Sequence, residues 1–257
     1  MAALAVDGVS VSFGGLRALD GVDMALAQAE IRGLIGPNGA GKSTLLNVIS
    51  GITAPDAGRV RLGDGELTGL APDRIAALGV ARTFQGAALF PTMTVLENVM
   101  TGCHRHTRTG VLGAGLFSRR RREEERHAVA QAEAALGFVN MLEFRDRLGS
   151  ELSHGQQRSV EIARALALEP TLLLLDEPAA GLSPPRVAAL DQLLRRVRDE
   201  KGITVLVVEH VLRLVMEISD SVTVLNSGQR IAEGSPKDVC ADPAVITAYL
   251  GTRRARA

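Results

Sequence analysis

The feature that most restricts this chain is the nonapeptide GPNGAGKST, Gly36 to Thr44, set between the short apolar run Ile31 to Ile35 and a stretch of helical character, Lys42 to Ser50, that stops at Gly51. It matches G-x-x-x-x-G-K-[ST] in the strand, loop, helix context that gives the motif its meaning. Glycines at 36, 39 and 41 let the backbone curl until successive amides face one anion, and the partial positive charge of the helix N-terminus adds to the attraction. Gly36, Pro37, Asn38, Gly39, Ala40, Gly41, Lys42, Ser43 and Thr44 are therefore candidate ligands of the phosphates of ATP. Lys42 is expected on the β- and γ-phosphates, the Ser43 hydroxyl on Mg2+ and Thr44 near the α-phosphate.

The rest of the chain continues the same alternation. Apolar segments rich in Val, Ile and Leu recur between amphipathic stretches, the pattern of a largely parallel sheet with helices packed on it, so the fold class reads α/β. Leu172 to Leu175 and Ile203 to Val208 are continuous apolar runs, as expected of strands buried on both faces, and acidic residues follow both. Near the end, Val222 to Leu225 and Arg230 to Glu233 flank the turn Asn226-Ser227-Gly228, a hairpin signal. The middle differs. From about Ala87 to Leu166 the long valine-rich runs are missing and Glu123 to Leu136 has helical composition, which reads as a helical insertion. Within it, Arg119 to Glu125 reads as a solvated helix start and Gly110 to Gly115 as a flexible loop.

Lys plus Arg and Asp plus Glu both number 29. That balance supplies no electrostatic reason to expect nucleic acid or an anionic membrane as the main partner. Cys103 and Cys240 lie far apart with no metal or disulfide spacing, which fits a reducing compartment. The N-terminus carries Asp7 and no basic region ahead of an apolar run, and charged residues interrupt every stretch long enough to span a bilayer. A cytosolic, soluble protein is expected.

Leu172 to Leu175 delivers Asp176 and Glu177 to the carboxyl end of a buried strand, where ligands collect in open α/β sheets. Two such carboxylates can simply cap a helix. Beside a phosphate loop they are candidates for chemistry: Asp176 to hold Mg2+ through water, and Glu177 to orient or deprotonate the attacking water. Gln85, after Arg82-Thr83-Phe84, stands at the entrance to the insertion, placed to report the γ-phosphate and its metal. His210 closes the apolar run Ile203 to Val208. One glutamine alone is weak evidence, and a lone histidine is more often a surface or core residue than a catalytic one.

After the insertion comes LSHGQQ, Leu152 to Gln157, followed by a helical stretch, Arg158 to Leu168, that ends before Pro170. With the loop at Gly36 to Thr44, Gln85, Asp176-Glu177 and His210 in this order, the sequence resembles the ATP-binding subunits of ABC transporters over nearly its whole length. The resemblance implies a P-loop NTPase fold over 4–252: a mostly parallel RecA-like core sheet, an N-terminal antiparallel β subdomain, and an inserted α-helical subdomain at about 87–166 between core segments 4–86 and 167–252. It implies a Mg2+-dependent ATPase with Glu177, His210 and Gln85 as catalytic residues and Ser43, Gln85 and Asp176 around the metal. It makes Leu152, Ser153, His154, Gly155 and Gln156 the signature segment, which closes over ATP held by the opposite subunit; a serine hydroxyl, glycine amides and a helix N-terminus form such a second anion site. It suggests that Phe13, equally readable as core, stacks on the adenine, and that Ala180 to Ser183 crosses the dimer interface. His154 departs from the family's usual glycine and Ser183 from its usual aspartate or asparagine.

Within the family, GGLRALDGV at Gly14 to Val22, GVARTFQ at Gly79 to Gln85, MTVLENVMTG at Met93 to Gly102 and IAEGSPKDV at Ile231 to Val239 look most like branched-chain amino-acid importers, while Gly86-Ala87-Ala88 differs from that branch. The implied partners are a second ATP-binding subunit (a copy or a paralogue), transmembrane permease subunits and, indirectly, a periplasmic solute-binding protein, with no nucleic acid. The implied location is cytoplasmic, peripheral on the inner face of the membrane. Two alternatives stand beside this: the same machinery with urea, another amino acid or a lipid as cargo, and a soluble ABC ATPase acting on ribosomes or DNA. One phosphate loop, no long heptad run and no cysteine cluster weigh against the second.

Overall fold

The structure, a computed structural model, describes residues 2–83, 89–106, 119–209 and 212–254. It divides into two compact units, one built from residues 1–82 and 171–257 and the other from residues 83–170.

The first unit holds two sheets. Strands β1 (Ala2–Phe13), β2 (Leu16–Ala27), β4 (Ala57–Leu62) and β5 (Gly65–Glu66) form an antiparallel sheet in the order β2-β1-β4-β5. Its buried face is Leu4, Val6, Val9 and Val11 on β1, and Leu19, Val22, Met24 and Leu26 on β2. The step of three between Val6 and Val9, and between Leu19 and Val22, coincides with register irregularities in the β1/β2 pairing, where Val9 faces Val22. An extra residue in each strand returns the next apolar side chain to the core.

The second sheet runs β10-β9-β3-β8-β7-β6, with β3 at Ile31–Ile35, β6 at Val80–Arg82, β7 at Leu172–Asp176, β8 at Thr204–Val208, β9 at Ser221–Asn226 and β10 at Gln229–Gly234. All neighbours are parallel except β9 and β10, which form the expected hairpin. Every residue of β3, β7 and β8 is buried, as continuous apolar runs require when helices cover both faces. Each large aliphatic side chain that these three strands remove from water stabilises the unit by about 1.5–3 kcal/mol. Because β3, β8 and β7 are adjacent and parallel, their carboxyl ends share one edge of the sheet.

Arg32 on β3 is a buried cation amid this apolar sheet. Its Nε donates to Glu30 Oε1 at 2.7 Å, Nη2 to the Ala25 carbonyl at 2.9 Å, and Nη1 to Thr223 Oγ1 at 3.1 Å and to Glu233. The fork of the guanidinium thus ties β2, β3, β9 and β10 together, and nearly every donor has an acceptor, the condition under which a buried charge is tolerated.

Helices α1 (Lys42–Ile49) and α2 (Pro72–Ala77) belong to the first unit; the second unit is helical, and its α3 (Val95–Met100), α4 (Arg119–Phe138) and α5 (His154–Leu166) pack around Val95, Val99, Ala132, Leu136, Val160 and Ala163. A reciprocal Thr94/Glu97 box starts α3. The fully buried Asn98 accepts from Phe90 N–H at 2.7 Å and donates to the carbonyls of Phe90 and Thr94, satisfying an irregular segment that has no ladder of its own. Helix α5 begins four residues earlier than the stretch Arg158 to Leu168 expected from composition, because Ser153 caps it, its N–H and hydroxyl both donating to Gln156 Oε1 at 2.9 and 2.8 Å. Among the described residues no helix is long and apolar enough to cross a membrane.

Candidate functional site

The carboxyl end of β3 runs into the glycine-rich loop, and helix α1 (Lys42–Ile49) follows directly, capped at its start by Gly41. The helix buries Leu45, Leu46, Val48 and Ile49, and Ser50 ends it by donating its hydroxyl to the Leu46 carbonyl at 2.8 Å. The loop is braced from two sides. Ala40 N–H donates to Pro37 O at 3.1 Å, and Gly228, in the β9/β10 turn, donates to Ala40 O at 3.1 Å while accepting from Asp20 N–H at 2.8 Å. Gly36 is buried at the base; Asn38 and Gly39 form the exposed apex, and Ser43 is exposed at the first turn of the helix.

Lys42 is 8 % exposed, and its ammonium donates to the Gly36 carbonyl at 2.7 Å and the Pro37 carbonyl at 3.0 Å. Burial lowers its pKa from the ordinary lysine value, and the nearby Glu177 and Asp176 carboxylates oppose that shift. A cation is therefore held at the centre of the loop by backbone oxygens, with the carboxylates of Asp176 and Glu177 within electrostatic reach of it.

Asp176 ends β7 with its side chain buried. Glu177, half-buried, follows in the left-handed backbone region at φ 49°, with its N–H donating to the Val208 carbonyl of β8 at 2.9 Å. That conformation costs a non-glycine residue about 1–3 kcal/mol and persists only where neighbours enforce it, and such residues concentrate at functional sites. Here the neighbouring strand enforces it, turning the chain sharply as it leaves the sheet.

Two residues near this edge escaped the sequence reading. Glu209, fully buried at the end of β8, accepts from Ala179 N–H at 2.8 Å and so fixes the turn Ala179 to Ser183, which leads into α6 (Pro184–Lys201) with Ser183 as its cap. Arg82, the last residue of β6, reaches Asp176 Oδ2 with Nη2 at 3.2 Å. The only sequence signal for either is adjacency, Glu209 to His210 and Arg82 to the segment leading into Gln85. Gln85 and His210 lie outside the described residues, as do Gly86-Ala87-Ala88 and Gly110 to Gly115.

Phe13, at the end of β1, is 52 % exposed, which removes the reading as core. In the helical unit Leu152 is buried, Ser153 and His154 are exposed, and Gly155 and Gln156 are half-buried in the first turn of α5, so the segment Leu152 to Gln156 presents a capped helix start. Among the described residues no cluster of three or more His, Cys, Asp or Glu side chains is arranged to hold a metal ion. Mg2+ does not need one, since it keeps several waters and takes one or two carboxylates plus phosphate oxygens. One exposed hydroxyl, Ser43, and one buried carboxylate, Asp176, fit that donor set.

A family model described as ABC transporter matches residues 19–180, and one described as branched-chain amino acid ATP-binding cassette transporter matches residues 229–255. The chain is 44% identical over 249 residues to the high-affinity branched-chain amino acid transport ATP-binding protein BraF of Pseudomonas aeruginosa, spanning 96% of this chain and 97% of the relative. Among solved structures, an ATP-binding cassette of an ABC transporter in the ADP conformation superposes with a TM-score of 0.85 at 36% identity, covering 98% and 99% of the two chains. A dimeric cassette in a post-hydrolysis state bound to ADP and phosphate superposes with a TM-score of 0.75 at 27% identity, covering 91% and 98%.

Proposed function

The chain belongs to the ABC transporter family as an ATP-binding, ATP-hydrolysing subunit, and on that premise we propose that it energises an importer of branched-chain amino acids. The cargo reading is supported by the name of the relative and by the C-terminal match over residues 229–255. The observation that carries the chemistry is the placement of Lys42, Asp176 and Glu177 at the shared carboxyl edge of β3, β8 and β7, within electrostatic reach of one another.

In this reading the amides of Gly36 to Thr44 and the Lys42 ammonium bind the phosphates, exchanging backbone carbonyls for phosphate oxygens as acceptors of the lysine. Ser43 and Asp176 would hold Mg2+, whose charge would offset that of the phosphate oxygens. Glu177, aimed by its enforced backbone, accepts the proton of the attacking water. Gln85 and His210 report on and contact the γ-phosphate, and Phe13, exposed on the same unit as the phosphate loop, stacks on the adenine. Leu152 to Gln156 closes on the nucleotide of a second cassette, and Ala180 to Ser183 runs along that dimer interface. Closure on ATP pulls the permease from one state to the other, hydrolysis reopens it, and the complex works at the cytoplasmic face of the membrane.

Glu177→Gln tests the chemistry. Turnover is expected to fall at least about 100-fold while ATP binding persists and a dimer accumulates in size-exclusion chromatography with ATP. A variant that stays active and monomeric refutes the assignment. The cargo is tested in proteoliposomes holding the chain with its permease and binding protein: ATP-driven uptake of labelled leucine supports the reading, and uptake of urea without leucine overturns it.

A further inference from the structure

We propose that Arg82 is a positioning residue for the metal-holding carboxylate, fixing Asp176 against the far end of the phosphate-loop helix; this rests on the reading of Asp176 given above. Arg82 Nη1 donates to Asn47 Oδ1 at 2.8 Å and to Ser50 Oγ at 2.9 Å, and Nη2 donates to Asp176 Oδ2 at 3.2 Å. The Arg82 and Asp176 side chains are only 9% and 6% exposed. One planar group thus spans three elements: the edge strand that carries it, the last turn of α1, and the end of β7.

The physical case has three parts. An aspartate at a strand end has rotamer freedom, and a donor on one carboxylate oxygen removes it; with about four lone-pair positions on the group, a single donor leaves acceptor capacity for a cation or its water. Arginine suits the task because its fork presents two nitrogens in a fixed plane and never loses its charge. Its place at the carboxyl end of α1 complements the negative end of the helix dipole, so the guanidinium is held from the helix side independently of the aspartate. Ser50 is itself fixed by donating to Leu46 O, which makes the anchor rigid. The same helix starts with Lys42 and Ser43, so the two ends of α1 address the two sides of one site.

A buried ion pair of purely structural value would stabilise the fold without favouring Mg2+. The two roles separate in binding measurements with a fluorescent, non-hydrolysable ATP analogue, titrated in EDTA and then across Mg2+ concentrations. Residues that orient metal ligands typically affect metal affinity by about 10–100-fold when removed. Arg82→Met is therefore expected to raise the Mg2+ concentration giving half-maximal enhancement by about 10-fold or more, with affinity in EDTA within about twofold of the parent. Arg82→Lys, which keeps the charge without the fork, falls between the two. Asn47→Ala removes one anchor, keeps the pair, and is expected to raise the Mg2+ requirement about threefold.

An unchanged Mg2+ requirement in folded Arg82→Met, or a lower one, which would make Arg82 a competitor of the cation, overturns the proposal. If Arg82→Met does not fold, Asn47→Ala decides alone, and an unchanged requirement there overturns it. Asp176→Asn is the control for the underlying reading. If it keeps the full Mg2+ enhancement, the role of Asp176 fails; if it loses the enhancement while Arg82→Met keeps it, only the role of Arg82 fails.

Discussion

Two glycines of the phosphate loop, three residues apart, are expected to respond very differently to the same added methyl group. At Gly39 the backbone has φ 79°, and a Cβ would meet no heavy atom within 4 Å. Gly39→Ala therefore incurs only the left-handed backbone cost, about 1–2 kcal/mol. At Gly36 a Cβ would stand 2.1 Å from the carbonyl oxygen of Leu225 and 3.0 Å from Ala40 Cβ. That carbonyl belongs to β9, which is hydrogen-bonded to β3 in register with Val224 opposite Ile35, so it cannot recede without opening the ladder. Overpacking of about 1–3 kcal/mol adds to a backbone cost of similar size at φ 154°, for a total of about 2–6 kcal/mol. At roughly 2–4 °C per kcal/mol for a domain of this size, the melting temperature should fall by about 2–8 °C for Gly39→Ala and by about 4–24 °C for Gly36→Ala. Thermal unfolding followed by far-ultraviolet circular dichroism, without nucleotide, reads both. Equal losses at the two positions, or a larger loss at Gly39, would refute the claim that close approach to β9 is what Gly36 serves.

Other outcomes follow from buried charge and buried sulfur. Burial, reinforced by Glu169, pushes the Cys103 thiol up to about 11, whereas Cys240 is exposed. Iodoacetamide at pH 7.5 should therefore modify Cys240 at least about 100-fold faster, read by peptide mass spectrometry; equal rates would contradict the burial of Cys103. Burial acts to raise the pKa of Glu30, but bonds from Arg32, Ser221 and the Ala27 amide outweigh it and hold the carboxyl below its ordinary value of 4.5. The unfolded chain thus binds the proton more readily, so the contribution of Glu30 is full above 4.5 and is lost as pH falls through its folded value. Glu30→Gln should lose about 1–3 kcal/mol at pH 7, from urea midpoints, with the gap closing towards pH 3. A gap that widens in acid would reverse the sign of this coupling.

The parts of the site visible in sequence are those written as local pattern. Ile31 to Ile35, the glycine loop and α1 are contiguous, and the all-apolar runs of β7 and β8 announce strands buried on both faces. The strands β1 and β2 are less legible, because their apolar residues fall at 4, 6, 9, 11 and at 19, 22, 24, 26, and one bulge in each breaks the period of two. Composition places the start of α5 late because it registers the apolar face of a helix and not the Ser153 cap that begins it. Arg82 and Glu209 were invisible for a different reason. Their partners, Asp176 and Ala179, lie 94 and 30 positions away, and nothing short of the strand order brings them together.

The central position of β3 has a consequence for how the protein is made. Both of its neighbours, β8 and β9, come from the last quarter of the chain, and Ala29, just before it, bonds Thr204 across 175 positions. At roughly 5–20 residues per second on the ribosome, the strand that bears the phosphate loop waits on the order of ten to thirty seconds for a partner, an apolar ribbon with both edges open. Chaperone demand during synthesis should therefore fall on this strand, and slowing translation between residues 36 and 204 should raise aggregation of the nascent chain more than slowing it after residue 226.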